Sequence, residues 1–253
     1  MIDADATAWP LGPGADTSAR AWLVRGAPVG AAPVQAATVC LLRAAVDDSA
    51  GGPQVLWITR GRGLAVAPGA LAFPGGAVDD GDRARRPDEP GPPVRFTVLA
   101  RTAARELAEE TGHVVVPRSL HPLVRWVTPE HEPRRFDTTF LVGVLPPAAD
   151  PEPLPPGEVH EHGWASPADL LSEVVRGLRT ALPPTRAVLA RLTRAVATVG
   201  PGPGSAAAVV DALVREAVLV PVVPRAAWRE GDAADDATRG VDLLLPRHAG
   251  EVP

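Results

Sequence analysis

The chain has 253 residues, 45% of them apolar, enough for one catalytic-size domain with a real core. A formal net charge of −5 and a pI near 5.7 disfavour non-specific binding to nucleic acid or to an anionic membrane, both of which ask for a positive surface. The basic residues are all arginine, so any phosphate-bearing ligand must be met by locally placed guanidinium groups, whose forked donors suit phosphate.

Residues 1–34 are rich in Ala, Gly and Pro and read as a loosely ordered lead-in; they lack the basic and apolar regions of a signal peptide. Two strands are expected at 36–46 and 54–60, joined by the turn-forming "DDSAGGP" as a hairpin. The single cysteine, Cys40, falls in the first of these; it cannot form an internal disulfide, and a buried position in a protein of the reducing cytoplasm fits it. Next, "GRGLAVAPGALAFPGGAVDDGD" carries a short apolar stretch, Ala70 to Phe73, running into a glycine turn at Gly75 and Gly76. A solvated loop follows at 83–93.

From 95 to 111 the period changes. Leu99, Ala103 and Leu107 recur every four residues and Gly112 is placed to end the helix. "HVVVP", "HPLVRWVTP" and residues 134–146 are strand-like, and a proline-rich loop separates them from a further strand in "EVHEHGWA". Ser166, Pro167 and Asp169 mark the start of another helix. Helical patterns resume in 185–199 and 205–217, and the chain ends with a short apolar strand and an acidic segment. The expected organisation is the lead-in at 1–34, a catalytic domain at 35–195, and an appendage of that domain at 196–253 that covers the site, forms a dimer contact or hangs free. No stretch reads as a membrane span.

The chemistry concentrates in "RELAEETGH". On a helix, Glu106 lies three and four residues before Glu109 and Glu110, so like charges gather at the helix C-terminus, the end that disfavours anions. Arg105 can pair with one glutamate, most naturally Glu109, and leaves two. A hard divalent cation resolves the conflict, since Mg²⁺ prefers oxygen ligands and commonly bridges carboxylates and phosphates. Upstream, Gly75 and Gly76 allow a main-chain group to come close to such a metal or to a phosphate.

These residues resemble the box of the Nudix hydrolase family: G, five residues, E, seven residues, then R-E-U-x-E-E-x-G-U, with U a bulky aliphatic. Gly76 is followed after residues 77–81 by Asp82, and Arg105, Glu106, Leu107, Glu109, Glu110 and Gly112 match the second half in register. Three departures stand out. The gap between Asp82 and Arg105 spans residues 83–104, 22 in all; the first acid is Asp, too short on this reading to be sure of locking Arg105; and His113 replaces the last aliphatic. An interrupted box followed by "WVTPEHEPRRFDTTFLVGVLP" looks like the subgroup of coenzyme A diphosphatases, which yield 3′,5′-ADP and a phosphopantetheine product. A related signature has arginine four residues before Gly69, where this chain has Ala65.

The resemblance implies an α+β Nudix fold, a mixed β-sheet sandwiched between α-helices, here with extra C-terminal helices. It implies Mg²⁺ or Mn²⁺ held by Glu106, Glu109, Glu110 and the Gly75 carbonyl, with Arg105 and Glu109 in the catalytic set. Family members often recruit a base outside the box; Glu161, a little ahead of Glu158, is the candidate unless both merely face solvent. Gly76, Arg60, Arg62, Arg134 and Arg135 are candidate substrate contacts, with Asp137 orienting one of the last two; a strand-end salt bridge is the other reading of that cluster. Trp126 and Phe136 stack on a base or fill the core. His160 and His162 lack the neighbouring Cys or His pair that a zinc site needs. The implied partner is a small-molecule diphosphate, not nucleic acid or membrane, and a homodimer is a possible assembly. Three functions compete: coenzyme A or acyl-coenzyme A diphosphatase, hydrolase of ADP-ribose or another nucleoside diphosphate derivative, and non-catalytic nucleotide sensor.

Overall fold

The computed structural model describes residues 6–10, 13–44, 52–61, 63, 67–86, 94–145, 159–229 and 241–246. Its elements in chain order are β1 (Ala6–Pro10), α1 (Pro13–Val24), β2 (Val34–Arg43), β3 (Gln54–Arg60), β4 (Leu71–Ala72), β5 (Gly75–Ala77), α2 (Asp80–Arg83), α3 (Arg95–Thr111), a 3₁₀ turn (Pro117–Ser119), β6 (His121–Val127), β7 (Phe136–Val144), β8 (Val159–Ala165), α4 (Pro167–Val175), α5 (Pro183–Val199), α6 (Ser205–Arg215), β9 (Val218–Val222), β10 (Arg225–Trp228) and β11 (Val241–Pro246).

The main sheet is mixed and runs β4-β3-β2-β7-β6-β9, with β5 paired to β2 and β8 to β3. Its spine is the parallel pair β2 and β7, in register from Val34↔Phe136 to Leu42↔Val144, flanked by antiparallel β6. Alternation along these buried strands divides the core in two. Ala37, Val39, Leu41, Leu56 and Leu141 meet Leu99, Ala103 and Leu107 of α3 on one face. Cys40, Leu42, Trp57, Phe140 and Val142 meet Leu170 of α4, Leu189 of α5 and Leu213 of α6 on the other. This is an α+β architecture with the sheet between helices, as the box implied. Cys40 is fully buried, and burial pushes its thiol well above the usual range.

The described residues beyond 195, 196–229 and 241–246, are built into this frame. α6 packs in the α5-side core, β9 extends the sheet beside β6, and Leu243 and Leu245 of β11 join the same apolar cluster.

The lead-in differs from expectation. Pro13 stands in the first turn of a 12-residue helix, where a missing N–H costs nothing, and Asp16 suits the helix N-terminus. β1 pairs antiparallel with β11, which also pairs with β10, so the two ends of the chain share a three-stranded sheet. "HVVVP" is not a strand either: it pairs with no strand among the described residues, Val114 and Val116 are exposed, and Pro117 opens the 3₁₀ turn. The glycine pair lies within a short strand, β5, rather than in a turn. Among the described residues no helix is long and apolar enough to cross a membrane. The central part of the 83–93 loop, the proline-rich loop before β8 and the acidic segment before β11 lie outside the described residues.

Candidate active site

The acid helix reaches its place because its apolar stripe is buried against β2 and β7 while Glu106, Glu109 and Glu110 rise along the adjoining face. It stops at Gly112, whose φ of 72° suits glycine and whose N–H bonds the Ala108 carbonyl. His113, buried immediately beyond, takes the place of the family's aliphatic: its ring meets Trp164 of β8 edge-on at 5.4 Å and Thr111 Oγ1 lies 3.2 Å from Nδ1.

Both glycines are demanded by close approach. A Cβ on Gly75 would fall 2.4 Å from the Ala37 carbonyl oxygen and 2.6 Å from Thr38 Cα, so the strand pair β2–β5 closes only without it. A Cβ on Gly76 would fall 2.3 Å from Glu106 Oε1. The bare glycine is therefore the cradle in which the Glu106 carboxylate rests. Gly75 meets the helix through its amide, which donates to Glu110 Oε2 at 2.9 Å, and not through the carbonyl that the sequence reading assigned to a metal.

Arg105 is the hub. Nη1 donates to Glu106 Oε1 at 2.9 Å and Glu109 Oε2 at 3.0 Å, Nη2 to Asp82 Oδ2 at 3.0 Å and the Ala77 carbonyl at 3.1 Å, and Nε lies 3.4 Å from Asp79 Oδ2. The guanidinium thus holds more than the one glutamate expected of it, and Asp82 does lock it despite its short side chain. The reason is α2. Asp79 and Asp82 form a reciprocal capping box, which folds this short helix onto α3. Thr102 Oγ1 donates to Asp82 Oδ2 at 2.8 Å, and Arg101 Nη1 donates to the Ala84 carbonyl at 2.8 Å. The 22-residue interruption is bridged by side chains of α3 itself. Neither Arg101 nor Thr102, both buried, stands out in the sequence; Thr102 is marked only by its place on the same helix face as Arg105, three residues away.

The electrostatics divide the acids. Burial alone would raise the Asp82 carboxyl, but hydrogen bonds from Arg105, the Asp79 amide and Thr102 bring it below the ordinary range. Burial lifts Glu106 above that range, against the pull of Arg105 and with repulsion from Glu109 and Asp82. Four carboxylates share one guanidinium and Glu110 lies beside them, so the acids outnumber Arg105 five to one in this group. Among the described residues no three acidic, His or Cys side chains already converge as a preformed metal cage. Glu106 and Glu109 are drawn to Arg105, and Glu110 to Gly75. The donor set is nonetheless all carboxylate oxygen, on one helix face, with an excess of negative charge and one carboxyl destabilised by burial. That fits a hard divalent cation in chemistry and charge.

The remaining candidates among the described residues are placed by other contacts. Arg135 is a structural residue, 8% exposed, whose Nε donates to the Thr128 carbonyl at 3.0 Å and Nη1 to the Ala31 carbonyl at 2.7 Å. Asp137 orients neither Arg134 nor Arg135. It takes a two-pronged contact from Arg125 at 2.6 and 2.7 Å and a third bond from Arg95 at 2.9 Å, which together draw its carboxyl below the ordinary range against the opposing effect of burial. Arg134 is exposed and lies over the Phe136 ring at 5.1 Å, while Trp126 is a core residue. Arg60 ends β3, where its backbone pairs with Ala70 and Gly69. Arg62 and Glu158 lie outside the described residues. Glu161 is exposed on β8 opposite Thr59. Trp164 packs in the α3-side core and Gly163 faces Trp57 of the other, so alternation turns Glu161 to the face away from α3.

Residues 97–189 match the model of the NUDIX domain family. No curated protein matches the chain. Among solved structures, a Nudix hydrolase from Alicyclobacillus acidocaldarius is similar at 26% identity and a TM-score of 0.53, over 68% of this chain and 99% of that one. A MutT Nudix hydrolase from Burkholderia pseudomallei (19% identity, 63% and 98% coverage, TM-score 0.43) and the Nudix domain of Shewanella oneidensis NrtR complexed with ADP ribose (19%, 56% and 78%, TM-score 0.40) are more distant. The domain match over residues 97–189 and the fold shared with the first of these make the chain similar to Nudix hydrolases.

Proposed function

We propose that the chain hydrolyses the diphosphate linkage of coenzyme A or an acyl-coenzyme A, releasing 3′,5′-ADP and a phosphopantetheine product. One observation carries the hydrolytic part: the Glu106 carboxylate seated over Gly76, with Glu110 tied to the Gly75 amide beside it. An interrupted box rejoined by α2 favours the coenzyme A subgroup. Ala65, where the coenzyme A signature has arginine, favours the second reading, in which the substrate is ADP-ribose or another nucleoside diphosphate derivative.

Glu106 and Glu110 would hold Mg²⁺ or Mn²⁺, with Glu109 beside them. The ion, when bound, supplies charge neutralisation for the diphosphate and Lewis acidity toward water. The protein's part is placement. Arg105 fixes the rotamer of Glu106 and restrains Glu109, while Asp82 and Thr102 keep Arg105 from swinging into solvent. Gly76 omits the Cβ that would push the Glu106 carboxylate off the strand.

A substrate panel tests this. Purified protein with Mg²⁺ or Mn²⁺ is offered coenzyme A, acyl-coenzyme A, ADP-ribose and NADH. Release of 3′,5′-ADP supports the proposal, and turnover of ADP-ribose alone supports the second reading. Binding without turnover of any of them makes the chain a sensor.

A further inference from the structure

Diphosphate hydrolysis needs a group to take the proton of the attacking water, and the face assignment of β8 removes Glu161 from that position. Resting on the hydrolytic reading above, we propose that His162 is the general base. Alternation puts its side chain on the same side of β8 as Trp164, the side that faces α3. Trp164 touches His113, three residues beyond Glu110, so this side of β8 adjoins the end of the helix where the acids are gathered.

A second path leads to the same place. His162 pairs with Ile58 across one edge of β3, and Ala72 pairs with Ile58 across the other. Two strand spacings, about 10 Å, therefore separate the backbones of His162 and Ala72. From Ala72 the chain runs through Phe73 and Pro74 to Gly75, whose amide holds Glu110. The strand register thus brings His162 and the segment that holds Glu110 to neighbouring positions on the α3 side of the sheet.

The carboxylates of the site are already engaged. Glu106 and Glu109 accept from Arg105 and Glu110 accepts from Gly75, whereas the His162 ring is exposed and makes no hydrogen bond among the described residues. The charged and titratable groups on the elements around that side of β8 are Glu109 and Glu110 of α3, His113 just beyond its end, Arg43 of β2, which lies over the Trp164 ring at 4.5 Å, and Arg60 of β3.

In the step, the water oxygen forms a bond to one phosphorus as its proton passes to a ring nitrogen of His162. The bond from that phosphorus to the bridging oxygen breaks, and the electron pair leaves with the other phosphate. The imidazolium then returns its proton to solvent.

The test compares the wild type with H162A, H162N and E161Q, each with Mg²⁺ and the substrate that the wild type turns over, with and without added imidazole. The expected result is a kcat lower by about 100-fold in H162A and H162N at nearly unchanged KM, wild-type rates in E161Q, and about tenfold or greater recovery of H162A by imidazole. Loss without recovery in a folded H162A, or wild-type kcat in either His162 variant, overturns the assignment while leaving the hydrolytic reading in place. A wild-type protein that turns over nothing in the panel overturns both.

Discussion

Alanine at Gly76 and alanine at Gly75 should fail in opposite ways. At Gly76 the new Cβ would lie 2.3 Å from Glu106 Oε1, where ordinary contact begins at 3.4 Å, so the carboxylate must retreat by 3.4 − 2.3 = 1.1 Å. The obstacle is the far end of a flexible side chain. Folding should lose only about 1 kcal/mol, much of it from weakening one charge-assisted bond to a half-exposed arginine. Displacing an aligned group by about 1 Å is worth about 100-fold in rate, so kcat should fall by roughly that factor. At Gly75 the obstacles are the Ala37 carbonyl, at 2.4 Å, and Thr38 Cα, at 2.6 Å, both backbone. Strands β2 and β5 would have to part, at about 3 kcal/mol by analogy with overpacked cores. In a domain of this size that lowers Tm by about 6–12 °C. Calorimetry and steady-state hydrolysis on the two purified variants separate these effects. A G76A protein with undiminished kcat, or one as thermally weakened as G75A, would refute the cradle.

Further expectations concern the acids and their supports. E110Q should keep the wild-type Tm within a few degrees and lose turnover by orders of magnitude, at least 100-fold; near-normal hydrolysis would remove Glu110 from the site. T102V removes one of the donors to the buried Asp82 and should lower kcat by about tenfold at constant KM, whereas T102S restores it; a change in KM alone would contradict a positioning role. D137N strands Arg125 and should cost about 2 kcal/mol at neutral pH. Since the folded Asp137 carboxyl titrates below its unfolded value, its stabilisation is full above the ordinary aspartate range and disappears as pH falls through the lowered value. Denaturant titrations between pH 7 and pH 2 should therefore show a shallower acid decline in D137N than in the wild type.

Where the signals are local, the sequence reading meets the structure closely. α3 occupies the expected residues because the four-residue spacing of Leu99, Ala103 and Leu107 and the stop at Gly112 are both contained within it. Ser166 caps α4 through the Asp169 amide at 3.0 Å for the same reason. What fails depends on partners remote in sequence. α1 hides in a proline-rich stretch whose Pro13 happens to sit where proline is harmless, and β1 has its partner, β11, at the far end of the chain. Arg135 looks like a ligand for an anion, yet its donors are consumed by two main-chain carbonyls. Asp82 reads as too short, because side-chain length is visible in the sequence and the lift given by α2 is not. Glu161 alone of the pair reads as a base until β8 has a register, and a single residue of phase then sends it and His162 to opposite faces.

The interrupted box also has a consequence for the chain's architecture. Its two halves are fastened by Arg101, Thr102 and Arg105, and the second half starts from Arg95, itself anchored on Asp137. Peptide continuity between Arg86 and Val94 is then not what aligns them. The length of the connection can therefore change while the two box segments stay mated, so that the working parts of the box do not depend on how far apart they lie in the sequence.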